Sequence, residues 1–563
     1  MSLSYPLEPV LEAEEIQGNV LGGFNKDLQV FMFLRMAEND LVSTRSWLHD
    51  CAARLTWLDE VASFKKKFRA FAGGTSGADP GNLSSIWMNI ALSYPALLRL
   101  VPDATQFDPV FAGGMAAAVG RLGDPMDPNV RGHISKWIFG ASGKIPDILL
   151  IIAADREEDL LDRLASERAL VEQAGLVEMH IDYGRDLGHT GAPGSFPRGR
   201  EHFGFKDGVS QPAVRGRLSP GIGDYLAPRD GSSPAGTTIE FASPGRPLIC
   251  PGEFVLGYPR QSVASGRNAA APWPLGNQAN DVVVGVPPIG PLWARNGSFL
   301  VYRRLNQDVP AFNRFLSRTA RELSSRPEYS GLTPEHFGAM VVGRWRSGAP
   351  LLRASAKDDE RLARTLGANN DFDFLSAGTA ADGFPPAIGD PSGELCPAAS
   401  HIRKVNPRAL ATDQGGEVNS LIRRILRRGI PFGDPLPIAS EVDPADGDRG
   451  LLFLGYQASI RDQFEFLQSF WANDEGKPTP QLTGKSGEDL IIGQGTSPAR
   501  SRFMIVGSDQ VRVDTPKGVE WVYPTAGGYF FSPSRSAIAD VLGKVAPQKS
   551  ARSTKKRHKT SRR

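Results

Sequence analysis

The chain has 563 residues, of which 40% are hydrophobic and 22% charged, and its formal net charge is +2. That length can bury a large core in two or more domains, and the composition is that of an ordinary globular protein. The longest aliphatic run, Ile148 to Ile152, is too short to span a bilayer, and the opening MSLSYPLEPVLEAEEIQG lacks a basic start, an apolar stretch or a twin arginine, so a cytoplasmic protein with no membrane partner is expected.

Periodicity predicts strands and helices in alternation. Leu28 to Leu34 reads as a buried strand, Leu41 to Leu55 as a helix, and Ile86 to Leu92 as a second strand. A short helix follows around Tyr94 to Leu100. Ile148 to Ala153 is a strand. Arg156 to Ala174 is an amphipathic helix with Leu160, Leu161, Leu164 and Val171 on one side and Gly175 at its end. Val177 to Tyr183 closes the set. This order fits a ferredoxin-like unit.

The stretch from Ala213 to Asn296 is rich in Gly, Pro and Ser and reads as a long ordered connection. The first rhythm then returns. Ser298 to Leu305 is a strand and Val309 to Leu323 a helix; Leu421 to Arg428 and Leu451 to Tyr456 read as strands, Ile460 to Trp471 as a helix, and Gly528 to Ser532 as a last strand. The predicted division is a first domain over 15–212, a connection over 213–296, a second domain over 297–546 with an insertion near 325–395, and a basic tail over 547–563. The tail QKSARSTKKRHKTSRR holds eight Lys or Arg and no acid. Such a block reads first as a solvated disordered segment, and second as a contact for nucleic acid or an acidic partner through 549–563.

Three widely spaced cysteines, Cys51, Cys250 and Cys396, predict buried thiols rather than a disulfide framework. There is no CxxCH for covalent haem attachment and no cysteine cluster for an iron–sulfur centre. Of eight histidines, His202 and His401 stand next to distinctive text. His202 precedes Gly204-Phe205-Lys206-Asp207-Gly208, a GxxDG turn, which runs on into Val209-Ser210-Gln211-Pro212. His401 opens His401-Ile402-Arg403-Lys404-Val405-Asn406-Pro407-Arg408.

Seven segments in order resemble the dye-decolourising peroxidase family, in its long insertion-containing branch. They are GFKDGVSQP (204–212), PGEFVLGY (251–258), GRWRSGAPL (343–351), HIRKVNPR (401–408), ILRRGIPFG (425–433), GLLF (450–453) and GGYFF (527–531), and the resemblance runs from Ile16 to about Phe531. It implies an α+β fold: two ferredoxin-like domains with antiparallel sheets, and one non-covalent haem b between them, held mainly by the C-terminal domain.

In that family pattern His401 matches the proximal iron ligand and Asp207 the distal acid. Arg427 matches the distal arginine, with Arg428 as the fallback among Arg423, Arg424, Arg427 and Arg428. Phe205, Lys206 and Gly208 flank the acid. Leu451 and Phe453 match a pair over the distal haem face, and Asp462 or Glu465 the acid bonded to the proximal histidine. Gly429 stands where some relatives carry an amide.

The chemistry suits these types. Imidazole binds iron axially, a carboxylate can take and return a peroxide proton, and a permanent guanidinium charge stabilises a breaking O–O bond. An Asp in place of a distal His predicts activity favoured at acid pH. The implied reaction has two stages: ferric haem and hydrogen peroxide give an oxyferryl species and a radical, and two one-electron oxidations of a small aromatic or dye reductant restore the resting state. A surface Tyr or Trp is expected to relay electrons from bulky dyes. Two rival readings stand beside this one. A haem carrier or iron-releasing protein on the same fold would need neither Asp207 nor Arg427. Thiolate ligation by Cys396 lacks the Gly-rich loop it requires.

Overall fold

The computed structural model of the chain describes residues 8–38, 40–73, 84–190, 196–221, 223–229, 239–261, 290–443, 447–479, 486–495 and 500–545. Strand β1 (Leu28–Arg35) shows why the first sheet is covered on both faces. Val30, Met32 and Leu34 point one way and Phe31 and Phe33 the other, and all five are fully buried. The first set shares a core with Trp47, Leu48 and Cys51 of helix α1 (Leu41–Ala52). Helix α2 (Leu58–Gly73), which periodicity did not predict, follows it. The same core takes Leu160, Leu164 and Val171 from α3 (Glu157–Gln173).

With β2 (Ile86–Ser93), β3 (Ile148–Ala154) and β4 (Val177–Arg185), the order across the sheet is β2–β3–β1–β4, all antiparallel. This is the ferredoxin-like arrangement. The second half repeats it. Its elements are β5 (Ser298–Gln307), α4 (Val309–Leu323), β6 (Leu426–Arg427), β7 (Ile430–Phe432), β8 (Gly450–Gln457), two π-helical turns (Ile460–Glu465 and Leu467–Ala472), and β9 (Val522–Ser532). Its strand order is β7–β8–β5–β9, with β6 on the same edge of β8 as β7.

The halves join edge to edge, because Phe530 and Phe531 of β9 pair with Ser93 and Leu92 of β2. One sheet of nine strands results, and it curls. The rings of Phe31 and Phe33 on β1 reach Tyr302 on β5 at 5.8 and 5.0 Å. At the far ends, a β-carbon on Gly184 of β4 would lie 2.3 Å from Ile430 of β7. No hydrogen-bonded pairing closes β4 onto β7 among the described residues.

Two expectations change. Leu421 to Arg428 is not one strand. Residues Glu417–Leu421 form a short helix, and only Leu426–Arg427 pairs with β8. The backbone is turned there because Gln463 donates to the Arg424 carbonyl (2.6 Å) and Gln211 brackets Arg427. The segment from 460 to 472 is helical as expected, but wound as π-helix. The stretch near 325–395 contains a helix, Pro334–Val342, that delivers Val342 and Arg344 to the central pocket. In the connection, Ala213–Val214, Phe241–Ser243 and Arg246–Ile249 form a small sheet. Residues 262–289 of that connection and the basic tail lie outside the described residues. Among the described residues no helix is long and apolar enough to cross a membrane.

Candidate active site

A deep pocket opens between the loop 201–210 and the second half of the chain. Its floor is strand. Arg303 and Leu305 of β5 stand directly across from Phe453 and Leu451 of β8, and all four line the pocket. Alternation requires this, since Leu452 and Leu454 fill the opposite, fully buried face. Val342, Ile402, Val405, Leu467, Ile491 and Ile492 add apolar wall.

His401 enters from the first turn of the short helix His401–Val405. Two buried cations of the same motif hold that helix. Arg403 donates to the carbonyls of Asp390 (2.7 Å), Cys396 (3.1 Å) and Pro391 (2.8 Å), and Lys404 donates to those of Asp474 (2.6 Å) and Lys477. The ring donates through Nδ1 to Asp489 Oδ2 at 2.7 Å. The other oxygen of Asp489 accepts from the amides of Ile491 (2.7 Å) and Ile492 (3.1 Å). Burial raises the Asp489 carboxyl, but the His401 ring and these two amides outweigh it and hold the group below its ordinary value. Asp489 is thus an ionised acceptor that fixes the ring tautomer, with Nε2 left for the pocket.

This corrects the expectation for Asp462 and Glu465, neither of which lines the pocket or touches His401. Asp462 bonds Ser459 Oγ at 2.9 Å at the start of the π-helical turn. Glu465 takes Arg121 and the phenol of Tyr529, both at 2.9 Å. Asp489 lies in the sequence GEDLII, and only its position just before an apolar run hinted at burial.

Asp207, Arg427, Phe205, Lys206, Gly208, Leu451 and Phe453 all line the pocket with His401. The GFKDG turn needs its glycines, because Gly204 and Gly208 have φ of +91° and +73°. Asp207 Oδ1 accepts from the Gly208 amide at 2.6 Å and lies 3.7 Å from Arg427 Nη2. Gln211, at the end of the same motif, donates to the Arg427 carbonyl (3.0 Å) and accepts from its amide (3.3 Å). The acid's loop and the arginine's strand are therefore tied together.

Of the four arginines in this stretch, Arg424 and Arg427 reach the pocket. Arg423 donates to the Asp462 carbonyl (2.8 Å) and covers the Phe466 ring. Arg428 points away and donates to the carbonyls of Asn19 (2.8 Å), Val20 (2.9 Å) and Leu21 (3.3 Å). A β-carbon on Gly429 would sit 3.0 Å from the Leu452 carbonyl, so the bare glycine suits the space.

Sequence reasoning missed a cluster of positive charge. Arg344, Arg408, Arg424 and Arg427 all line the pocket. Burial pushes Arg344 and Arg424 down to about 9, and the charges of Arg408 and Arg427 add to this in both. Burial likewise pushes Arg408 down to about 10. Arginines crowded and desolvated in this way call for an anion. Among the described residues no group of three His, Cys, Asp or Glu side chains is placed to hold a bare metal ion. One free imidazole nitrogen, apolar walls and buried guanidiniums together fit a haem, which needs one axial protein ligand and partners for two propionates.

Comparisons with known proteins agree with this donor set. Residues 15–178 match the DyP dimeric alpha+beta barrel domain, and residues 274–483 match the Dyp-type peroxidase, C-terminal domain. The dye-decolorizing peroxidase msp1 of Mycetinis scorodonius is 30% identical over 546 residues, covering 94% of this chain and 88% of that one. The solved structure of an ancestral D-type dye-decolorizing peroxidase superposes with a TM-score of 0.71 at 31% identity, over 95% of this chain and 99% of that one. A dye-decolorizing peroxidase solved in complex with 2,6-dimethoxyphenol gives 0.68 at 26% identity, over 95% and 100%. The chain belongs to the dye-decolourising peroxidase family of haem peroxidases, hydrogen-peroxide-dependent oxidoreductases.

Proposed function

We propose that this chain binds one haem b non-covalently, through His401, and uses hydrogen peroxide to oxidise small aromatic or dye reductants by one-electron steps. The observation that carries this reading is the meeting, in one pocket, of a carboxylate-anchored His401 with the Asp207–Arg427 pair. Bound haem would supply the redox-active iron that reacts with peroxide.

The residues divide the remaining work. Asp489 holds the His401 ring in one tautomer and one orientation. Arg344, Arg408 and Arg424 would hold the propionates by their positive charge. Asp207 accepts a proton from the near oxygen of peroxide and returns it to the departing one. Arg427 stabilises the negative charge that grows on the breaking O–O bond. Leu451 and Phe453 keep that face dry, which strengthens both polar effects. The phenol bound by the 2,6-dimethoxyphenol relative supports an aromatic reductant here.

The test is an absorption spectrum of the haem-reconstituted protein before and after hydrogen peroxide, followed by addition of 2,6-dimethoxyphenol. A Soret band that shifts with peroxide and returns with the phenol is expected. A protein that takes up no haem, or haem that ignores peroxide, would overturn the reading.

A further inference from the structure

Glu465 is a buried carboxylate that the proposed peroxide chemistry leaves unused. It sits beneath the pocket wall with two partners, the phenol of Tyr529 at 2.9 Å and the guanidinium of Arg121 at 2.9 Å. Tyr529 is buried, whereas the Arg121 side chain is 55% exposed. On its other side Tyr529 meets aromatic rings that lead inward. Its centroid lies 6.4 Å from that of Phe464, in an edge-on arrangement, and Phe464 lies 6.0 Å from Phe453. Phe464 and Phe453 both line the pocket.

We propose that Tyr529 is a redox-active tyrosine that carries single electrons between the pocket and the surface at Arg121, with Glu465 as its proton acceptor. The proposal rests on the haem peroxidase reading above. In the forward step the Tyr529 O–H bond breaks. Its electron passes to the site oxidised by hydrogen peroxide, and its proton passes to the Glu465 carboxylate, leaving a neutral phenoxyl radical. An electron from an aromatic reductant then restores the phenolate oxygen, and Glu465 returns the proton.

A carboxylate within hydrogen-bond reach is what such a step requires, since a phenol that loses an electron becomes a strong acid. At rest, burial and the Glu465 charge hold the Tyr529 phenol far above its ordinary value, so the proton is in place. Two other described tyrosines also bond carboxylates: Tyr302 to Asp182 and Tyr329 to Asp509, both at 2.6 Å. The ring neighbours of Tyr302 are Phe31, Phe33 and Phe139, none of which lines the pocket. Tyr529 joins a carboxylate to rings of the pocket wall.

The experiment is freeze-quench electron paramagnetic resonance of the holoenzyme after one equivalent of hydrogen peroxide. It compares the wild type with natural and ring-deuterated tyrosine, Tyr529→Phe and Glu465→Gln. Tyr529→Phe preserves the packing, and an unchanged Soret band reports intact haem binding. The expected result is a radical signal that narrows with deuterated tyrosine, is lost in Tyr529→Phe and is diminished in Glu465→Gln. The same tyrosyl signal persisting in Tyr529→Phe, or a Soret band that responds to peroxide with no tyrosyl signal in the wild type, would overturn the relay alone. A Soret band that does not respond to peroxide at all would overturn the peroxidase reading beneath it.

Discussion

Asp489 Oδ2 accepts the His401 Nδ1 proton at 2.7 Å although 88 residues separate the two in the chain. The carboxylate is wholly buried, and its other oxygen is held by two backbone amides. It therefore cannot swing to another partner, and the ring it orients has one nitrogen left to offer the pocket. Replacing Asp489 by Asn removes the charge and lets an amide nitrogen face Nδ1. Haem affinity, measured by titrating the haem-free protein, is expected to fall by about 10- to 100-fold. His401→Ala is expected to disturb ligation itself, seen as a displaced Soret band. An Asp489→Asn protein with wild-type affinity and spectrum would remove this role.

Asp207 is held 3.7 Å from Arg427 and is partly open to solvent. Its proposed work is proton transfer, not haem binding. Asp207→Asn is expected to slow the peroxide step by about 10²- to 10⁴-fold while haem affinity stays the same. Stopped-flow mixing with peroxide, followed at the Soret band, measures the step. An equal loss of rate and of haem affinity would point instead to a structural role for the turn.

Two adjacent arginines should separate cleanly. Arg427 lines the pocket, and Arg428 spans back to the carbonyls that end the short helix Gly18–Leu21. Arg427→Leu is expected to cost about 10²- to 10³-fold in the peroxide step, with a small effect on unfolding. Arg428→Leu leaves buried carbonyls without donors and should destabilise the fold by about 3 kcal/mol. Denaturant unfolding beside stopped-flow kinetics distinguishes the two; a reversed pattern would mean that the assignment along this strand is shifted by one.

What the sequence made legible here is what lies within one loop or one strand. GFKDG specifies a turn through two glycines in the left-handed region, and HIRKV names both a ring and the cations that staple its helix. The nearly unbroken apolar run from Leu28 to Leu34 was enough to place a buried strand. Contacts between distant segments left weaker marks. Asp489 has no local periodicity to mark it, and the family pattern drew attention to the helix carrying Asp462 and Glu465 instead. The arginine cluster brings Arg344 and Arg408, from two separate loops, beside Arg424 and Arg427 of one segment, and the chain order gives no sign that the three stretches meet. The edge pairing of β9 with β2 rests on two residue pairs and has no sequence signature.

Glu201 and His202 are neighbours at the start of the distal loop, and burial moves them in opposite directions. Glu201 accepts from the amides of Phe203 and Phe205 and from Gln307, yet burial raises it from 4.5 to about 7. His202 bonds the Phe432 carbonyl at 2.8 Å, and burial lowers it from 6.5 to about 4. Between pH 4.5 and 6.5 the folded chain thus keeps a proton on Glu201, while the unfolded chain keeps one on His202. The counts match, so the pair contributes almost no pH dependence to stability in that range. Single substitutions unmask each half. With Glu201→Gln, the unfolded chain alone binds the extra proton, so stability is full above pH 6.5 and is lost as pH falls toward 4. With His202→Asn, the folded chain alone binds it, so stability is full below pH 4.5 and is lost as pH rises toward 7. Thermal midpoints measured across this range should slope in opposite directions for the two variants. Parallel slopes would show that burial does not shift these two groups against each other.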